Sequence, residues 1–189
     1  SAASDVYKRQ DVVHVPFVHA TTIGRGIGKV VDGPGVEWTG PDRFRIYVYN
    51  RDDDGTPARK PSQVPVPNPD RDFQLEFIFP NLWQNYIGQD IRVVVAFAPI
   101  DEEHTLFYLR FYQKFLTIPG LKELVTWASM PYNRRVLHQD RRVVETQRPR
   151  PSGLRIGEKM VQGDRPIIEY RRRREELIQA SRKDTRRDR

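Results

Sequence analysis

The alternation of apolar and polar positions separates an N-terminal part typical of β-strands from a C-terminal part typical of helices. Residues 43–49 and 73–79 alternate with period two, which is the pattern of half-buried strands. A continuous β-branched run at 91–97 is followed by an aromatic-rich alternating segment at 105–115. The connections between the last three segments, 85–90 and 99–104, are short enough for hairpins. We therefore predict a mostly antiparallel sheet.

Glycine and proline mark the predicted interruptions of this sheet. Gly33-Pro34-Gly35 predicts a turn between two short strands within residues 24–40. Residues 56–71 contain five prolines and predict an exposed loop, because proline cannot donate to a strand ladder. The acidic run Asp52–Asp54 lacks the later glutamate of an EF-hand and is interpreted as a solvated loop.

After residue 120 the spacing of apolar residues changes to three and four. The segment from Leu121 to Val144 has this spacing and predicts a long helix, which Pro131 bends and Pro149 ends. The basic run Arg171–Arg174 is interpreted as a solvated helical face whose side-chain stems pack on the body.

A second helix is predicted beyond a loop that runs to Gly163. Asp164 can cap it, and Pro166 lies in its first turn, where an N–H group has no helical partner to lose.

A curved antiparallel sheet around a long C-terminal helix is a helix-grip fold of the α+β class, as in START and Bet v 1-like domains. The concave face of such a sheet suits apolar ligands.

The amino-acid composition excludes several classes of functional site. The 189 residues include no cysteine, which excludes disulfides, thiolate zinc sites, a cysteine nucleophile and a cysteine-ligated iron–sulfur cluster. The net charge of +7 is concentrated in residues 121–189, which hold 19 Lys and Arg against 10 Asp and Glu. A basic tail can bind nucleic acid, but a solvated helix or a docking surface for an acidic electron donor explains it as well. No membrane span or signal peptide is recognisable, so we expect a cytoplasmic protein.

Two of the four histidines, His14 and His19, lie five positions apart, and Asp11 precedes the first by three. On a regular helix residues at this spacing point about 140° apart and do not share an ion. Pro16 predicts a bend that brings them together. Two imidazoles and a carboxylate from elsewhere form a facial triad that holds Fe(II) with open positions. The alternative is an ordinary pair of surface or core histidines.

The spacing Asp11-x2-His14-x4-His19, with an apolar run between the histidines, resembles the iron-binding motif of the Rieske non-haem iron oxygenases, in the alpha subunit of aromatic-ring-hydroxylating oxygenases. The segments 79–83, 93–99 and 164–171 resemble the branch of vanillate demethylase and pheophorbide a oxygenase. The resemblance covers nearly all of the chain from residue 11 onward.

Residues 1–10 do not fit this resemblance. The family usually has an asparagine three or four positions before the motif aspartate, where this chain has Lys8 and Tyr7. We interpret residues 1–10 as a foreign or artefactual segment, and residues 11–189 as an oxygenase catalytic domain truncated at its N-terminus. The cysteine and histidine pairs of a Rieske domain are missing from the chain.

The resemblance implies roles for further residues. Asp140, in the segment 138–145, corresponds to the third iron ligand, and Glu145 is the weaker candidate. Asp11 would be an inter-subunit bridge for electron transfer, and capping a helix N-terminus is its structural alternative. The predicted substrate-binding residues are Asn81, Trp83, Phe97, Tyr108 and Trp127.

The activity implied by the resemblance uses mononuclear Fe(II) and O2 to hydroxylate or oxidatively O-demethylate an aromatic substrate. Electrons would come from NAD(P)H through a reductase or ferredoxin and a [2Fe–2S] cluster of the full-length subunit, which would be a homotrimer. The isolated fragment would be inactive. Two alternatives stay open: a metal-free helix-grip carrier of an apolar ligand, and an interaction protein whose basic tail binds nucleic acid.

Overall fold

The computed structural model describes residues 11–68, 72–101, 104–146, 148 and 153–187, with residues 184–187 described by their backbone alone. The predictions for residues 1–10 and for Pro149 therefore lie outside the described residues. Within the described ranges, no helix has both the length and the apolar character needed to cross a bilayer.

The sheet has six strands that follow one another in sequence order, each antiparallel to the next. The predicted strands at 43–49, 73–79, 91–97 and 105–115 are confirmed with small changes of their bounds. The strands are β1 (Val30–Gly40), β2 (Arg43–Arg51), β3 (Gln74–Ile78), β4 (Leu82–Ile87), β5 (Ile91–Pro99) and β6 (Thr105–Gln113).

The predicted turn at Gly33-Pro34-Gly35 is wrong, because this segment lies inside β1 as a bulge. Asp32 pairs with Tyr49 and Gly35 pairs with Tyr47, so the bulge adds one residue to β1 without ending the ladder. Gly33 has a φ of 97°, which favours glycine. A Cβ atom on Gly35 would lie 2.2 Å from the ring of Tyr47, so glycine lets this ring pack against the strand.

The hairpin connection predicted at residues 85–90 is confirmed but shorter, because its first residues belong to β4. Asn85 pairs with Leu75 of β3 on one side and with Val93 of β5 on the other. Strands on both sides satisfy the backbone of this segment, which outweighs the low strand propensity of asparagine. The hairpin turn is confined to residues 88–90.

The core lies on one face of the sheet. Alternate residues of the strands are buried there, and the helix α3 (Arg165–Arg187) covers them with Ile167 and Tyr170. The ring of Tyr170 stacks on Phe79 at 5.4 Å between centroids and meets Phe77 edge-on at 5.2 Å. Burial raises the pKa of Tyr170 to about 12. The strand residues of the core are Phe44, Ile46, Leu75, Phe77, Trp83, Val95 and Phe97.

The loop before α3 is fixed by polar contacts. Asp164 directly precedes α3, and its Oδ2 accepts the N–H of Val161 at 2.8 Å. Pro166 occupies the first turn, as predicted, and is buried. The prediction of a solvated face is wrong for Arg171, which is 3% exposed and donates to Glu158 at 2.6 Å. This ion pair joins α3 to the loop that precedes it.

The predicted long helix is confirmed as α2 (Leu121–Thr146), with Pro131 in its interior. Its apolar residues do not form a buried stripe: Leu124, Val125 and Trp127 are exposed. Among the described residues of α2, Asp140 is the buried one. The α+β helix-grip prediction is confirmed, and the helix packed against the sheet core is α3.

Candidate metal centre

The two histidines flank a single helical turn. The helix α1 (Val15–Val18) has His14 as its N-cap and His19 as its C-cap. Pro16 lies in the first turn and breaks no hydrogen bond, so the predicted bend of a longer helix is wrong. Because the helix ends after one turn, the two imidazoles face each other, with 5.3 Å between ring centroids and 64° between their planes.

A tight return of the chain holds this turn. The carbonyl oxygen of His19 accepts the N–H of Thr22 at 2.8 Å and that of Gly24 at 2.9 Å. A Cβ atom on Gly24 would lie 2.3 Å from the carbonyl oxygen of Val15, so only glycine fits here. The sequence prediction missed Gly24, although a glycine five residues after a ligand is a signal for such a turn.

Asp140 reaches the histidines from α2. Its Oδ1 lies 2.9 Å from Nε2 of His19 and 3.5 Å from Nε2 of His14. One ligand atom from each of the three residues lies within 4.8 Å of the others. His19 and Asp140 are buried, and the side chain of His14 is 21% exposed. The structure thus brings together the three residues that the sequence prediction assigned to one site.

The other nitrogen of each imidazole has an oxygen partner. Nδ1–H of His14 donates to the carbonyl oxygen of Asp11 at 2.6 Å, and Nδ1–H of His19 donates to Oε1 of Gln139 at 2.9 Å. A carbonyl or amide oxygen can only accept, so each Nδ1 carries the hydrogen. Both Nε2 atoms are left to face Asp140. Gln139 was missed by the sequence prediction, because its contact joins residues 120 positions apart.

Asp11 does not cap α1, since the N-cap is His14. Its Oδ1 accepts the N–H of Val13 at 2.9 Å, and its Oδ2 lies 3.9 Å from Nδ1 of His14. The carboxylate is 40% exposed and lines a cavity of about 430 Å³ between β1 and the loop before α3. The side chain of Asp11 is therefore accessible from the surface, while its backbone carbonyl holds His14.

Other candidate residues lie away from the triad. Glu145 is exposed and accepts from Arg141 at 2.7 Å, so it does not compete with Asp140. The predicted substrate-binding residues divide among three environments. Trp83 and Phe97 belong to the core, Asn81 donates to the carbonyl oxygen of Phe97 at 2.7 Å, and Tyr108 and Trp127 are 54% and 70% exposed.

The donor set fits a ferrous ion. Imidazole nitrogen and carboxylate oxygen are ligands that iron accepts, and the absence of cysteine removes competition from softer donors. Octahedral ligands about 2.1 Å from an ion lie about 3 Å apart, which is close to the two distances from Asp140. Two imidazoles and one carboxylate on one side of an ion leave positions open for other ligands.

Comparisons with known proteins agree with this fold. The structure resembles Pseudomonas putida CBB5 NdmA, with a TM-score of 0.58 and 19% identity over 91% of this chain and 44% of that one. It also resembles the quaternary ammonium Rieske monooxygenase CntA, with a TM-score of 0.53 and 16% identity over 92% and 45% of the two chains. This chain thus spans less than half the length of either.

Sequence comparison gives the family. A search of curated protein sequences finds no match to this chain. The sequence profile of the vanillate O-demethylase oxygenase C-terminal domain matches residues 10–180, which is nearly the whole chain. The chain therefore belongs to the family of vanillate O-demethylase oxygenase C-terminal domains, the catalytic domains of Rieske-type oxygenases.

Proposed function

We propose that this domain binds one Fe(II) through His14, His19 and Asp140 and uses it with O2 to oxidise an aromatic substrate. The observation that carries the proposal is the convergence of three ligand atoms within 4.8 Å in a chain of this family. A metal-free carrier of apolar ligands would give these convergent groups no role. The carrier alternative is therefore not favoured.

The histidines and Asp140 would contribute different properties to the site. The two Nδ1–H donors fix the imidazoles so that both Nε2 atoms stay available, and Asp140 supplies the negative charge. Burial of His19 and Asp140 keeps water from two of the three ligands. When bound, Fe(II) would supply the open coordination positions and the redox-active centre that O2 activation needs.

For an aromatic methyl ether, the balanced reaction consumes O2, two electrons and two protons. It releases the phenol, formaldehyde and water. The electrons would come from NAD(P)H through a reductase or ferredoxin and a [2Fe–2S] cluster outside this chain, within a homotrimer of full-length subunits. Asp11 is our candidate for the inter-subunit bridge along which the electrons pass, because its carboxylate is partly exposed while its backbone carbonyl holds His14.

The test of the metal site is anaerobic titration of the chain with Fe(II). We expect about one ion per chain. In His14→Ala, His19→Ala and Asp140→Asn we expect losses of affinity larger than the roughly 10- to 100-fold effect of removing a group outside the ligand set. His138→Ala is the matched control, because His138 is exposed on α2 two residues from Asp140. A folded wild-type chain that binds no Fe(II), or a ligand variant that binds as wild type does, would contradict the proposal.

The test of the substrate class uses the full-length subunit with its reductase. Vanillate under ¹⁸O2 should yield the demethylated phenol and formaldehyde, and the Asp140→Asn subunit should yield neither. Turnover of quaternary ammonium compounds instead of aromatic ethers would reject the aromatic class and leave the metal site intact.

A further inference from the structure

Gln139 lies between the two elements that build the metal centre. It directly precedes Asp140 on α2, and its amide faces the segment that follows α1. Its Oε1 accepts from Thr22 Oγ1 at 2.7 Å and from Nδ1–H of His19 at 2.9 Å, and its Nε2 donates to Thr21 Oγ1 at 3.1 Å. One amide therefore contacts three side chains of a segment more than a hundred residues away.

The oxygen end of the amide faces His19 in the structure. The NH2 group donates to Thr21 Oγ1 and the oxygen faces Thr22 and His19, so both ends of the amide have partners in this orientation. Because that oxygen cannot donate, the hydrogen of the contact must be on Nδ1 of His19. The ring is thereby turned so that Nε2 lies 2.9 Å from Oδ1 of Asp140.

The two histidines are held differently. Nδ1–H of His14 donates to the backbone of Asp11, three residues away, which substitution of a side chain does not remove. Nδ1–H of His19 depends on the side chain of Gln139, from another element. His19 is therefore the ligand whose orientation a single side-chain substitution can release.

We propose that Gln139 is a positioning residue, which fixes the orientation and the Nδ1 hydrogen of His19 so that Nε2 is presented to the metal. Thr21 and Thr22 hold the amide in place by hydrogen bonds to its two ends. The proposal rests on the proposed function of the site. Loss of a hydrogen-bond partner of a metal-bound imidazole typically lowers metal affinity by about 10- to 100-fold.

The experiment compares Gln139→Ala and Gln139→Glu with wild type. Anaerobic Fe(II) titration should give one ion per chain in all three, with affinity lowered about 10- to 100-fold in Gln139→Ala. Gln139→Glu keeps an oxygen acceptor for Nδ1–H and should restore most of the affinity. Arg141→Ala, an exposed change on the same helix, is the control for general damage to α2.

A second readout does not require metal. In ¹⁵N-labelled metal-free protein, NMR should find the hydrogen of His19 on Nδ1 in wild type and Gln139→Glu, and should find that this contact is lost in Gln139→Ala. A His19 without hydrogen on Nδ1 in wild type would overturn the proposal, and so would unchanged Fe(II) affinity in Gln139→Ala. If wild type binds no Fe(II), the proposed function fails, while the NMR result still decides the role of Gln139.

Discussion

The two long helices of this domain are held in different ways. Ile167 and Tyr170 of α3 belong to the apolar core, and Trp38 of β1 donates to Glu169 of the same helix. By contrast, α2 exposes Leu124, Val125 and Trp127, and its buried residue among those described is Asp140. The position of α3 is thus set by the core, whereas that of α2 near its C-terminal end is set by polar groups of the candidate metal centre.

The interactions that hold the two helices differ in the free energy that they contribute. Full burial of a large apolar side chain contributes about 1.5–3 kcal/mol, while a hydrogen bond contributes about 0.5–1.5 kcal/mol net. The association of α2 with α1 depends mainly on polar contacts of Gln139 and Asp140. We expect α2 to respond to what binds at the site, and α3 to be nearly indifferent to it.

The largest effect is expected from removing a core side chain of α3. Tyr170→Ala should lower the free energy of unfolding by about 3–5 kcal/mol, the range for truncation of a buried aromatic residue. Urea denaturation followed by circular dichroism measures it. A loss below about 1 kcal/mol would mean that α3 is not held by the core, and the comparison would fail.

Fe(II) should stabilise α2 selectively. At a free concentration of 100 times its dissociation constant, a ligand that binds only the folded site adds about 2.7 kcal/mol to the free energy of unfolding. Anaerobic hydrogen exchange should show that Fe(II) increases the protection of the amides of residues 132–146 more than that of the amides of α3. Asp140→Asn should abolish this increase. Equal gains in both helices would indicate that the domain responds as one unit.

The alkaline limit of stability tests the burial of Tyr170. Below pH 10 this phenol is neutral in the folded and the unfolded chain. Between pH 10 and about 12 the unfolded chain loses the proton that the folded chain keeps, so the free energy of unfolding falls by about 1.4 kcal/mol per pH unit from this group. Tyr170→Phe should remove this part of the slope in denaturation at pH 9 and 11. Equal slopes would contradict the raised pKa.

The smallest effect is expected at the exposed face of α2. Trp127→Ala should change the free energy of unfolding by no more than about 0.5 kcal/mol, because the side chain is 70% exposed. Trp83→Ala, which empties part of the core, is the contrasting variant in the same denaturation assay. A comparable loss in both would show that Trp127 packs on the body.

Strong periodic signals were enough to predict most of the sheet. The alternation at 43–49 and the β-branched run at 91–97 correspond to β2 and β5, since period two places one face on a core. The strand Leu82–Ile87 was not predicted, because Gln84 and Asn85 weaken its local strand signal. In the structure, pairing with β3 and β5 on both sides outweighs this low propensity. Gly33-Pro34-Gly35 failed because turn residues also build bulges.

The candidate site was predicted only in part, for a different physical reason. His14 and His19 lie close in sequence, and the resemblance to a known motif led to Asp140. The position of Gln139 beside them depends on how α2 meets α1, which no local pattern encodes. Pro16 was interpreted as the origin of a bend, whereas the helix simply ends after one turn.

The single turn of α1 has a consequence for how this centre can change over evolutionary time. Six consecutive residues, His14 to His19, carry two of the three candidate ligands and set their separation locally. The backbone separation of these two histidines is therefore set within one turn, while the ring of His19 also contacts Gln139 of α2. The third candidate ligand, Asp140, lies on a separate helix, so substitutions that shift α2 would change its distances to the histidines without any change in residues 14–19.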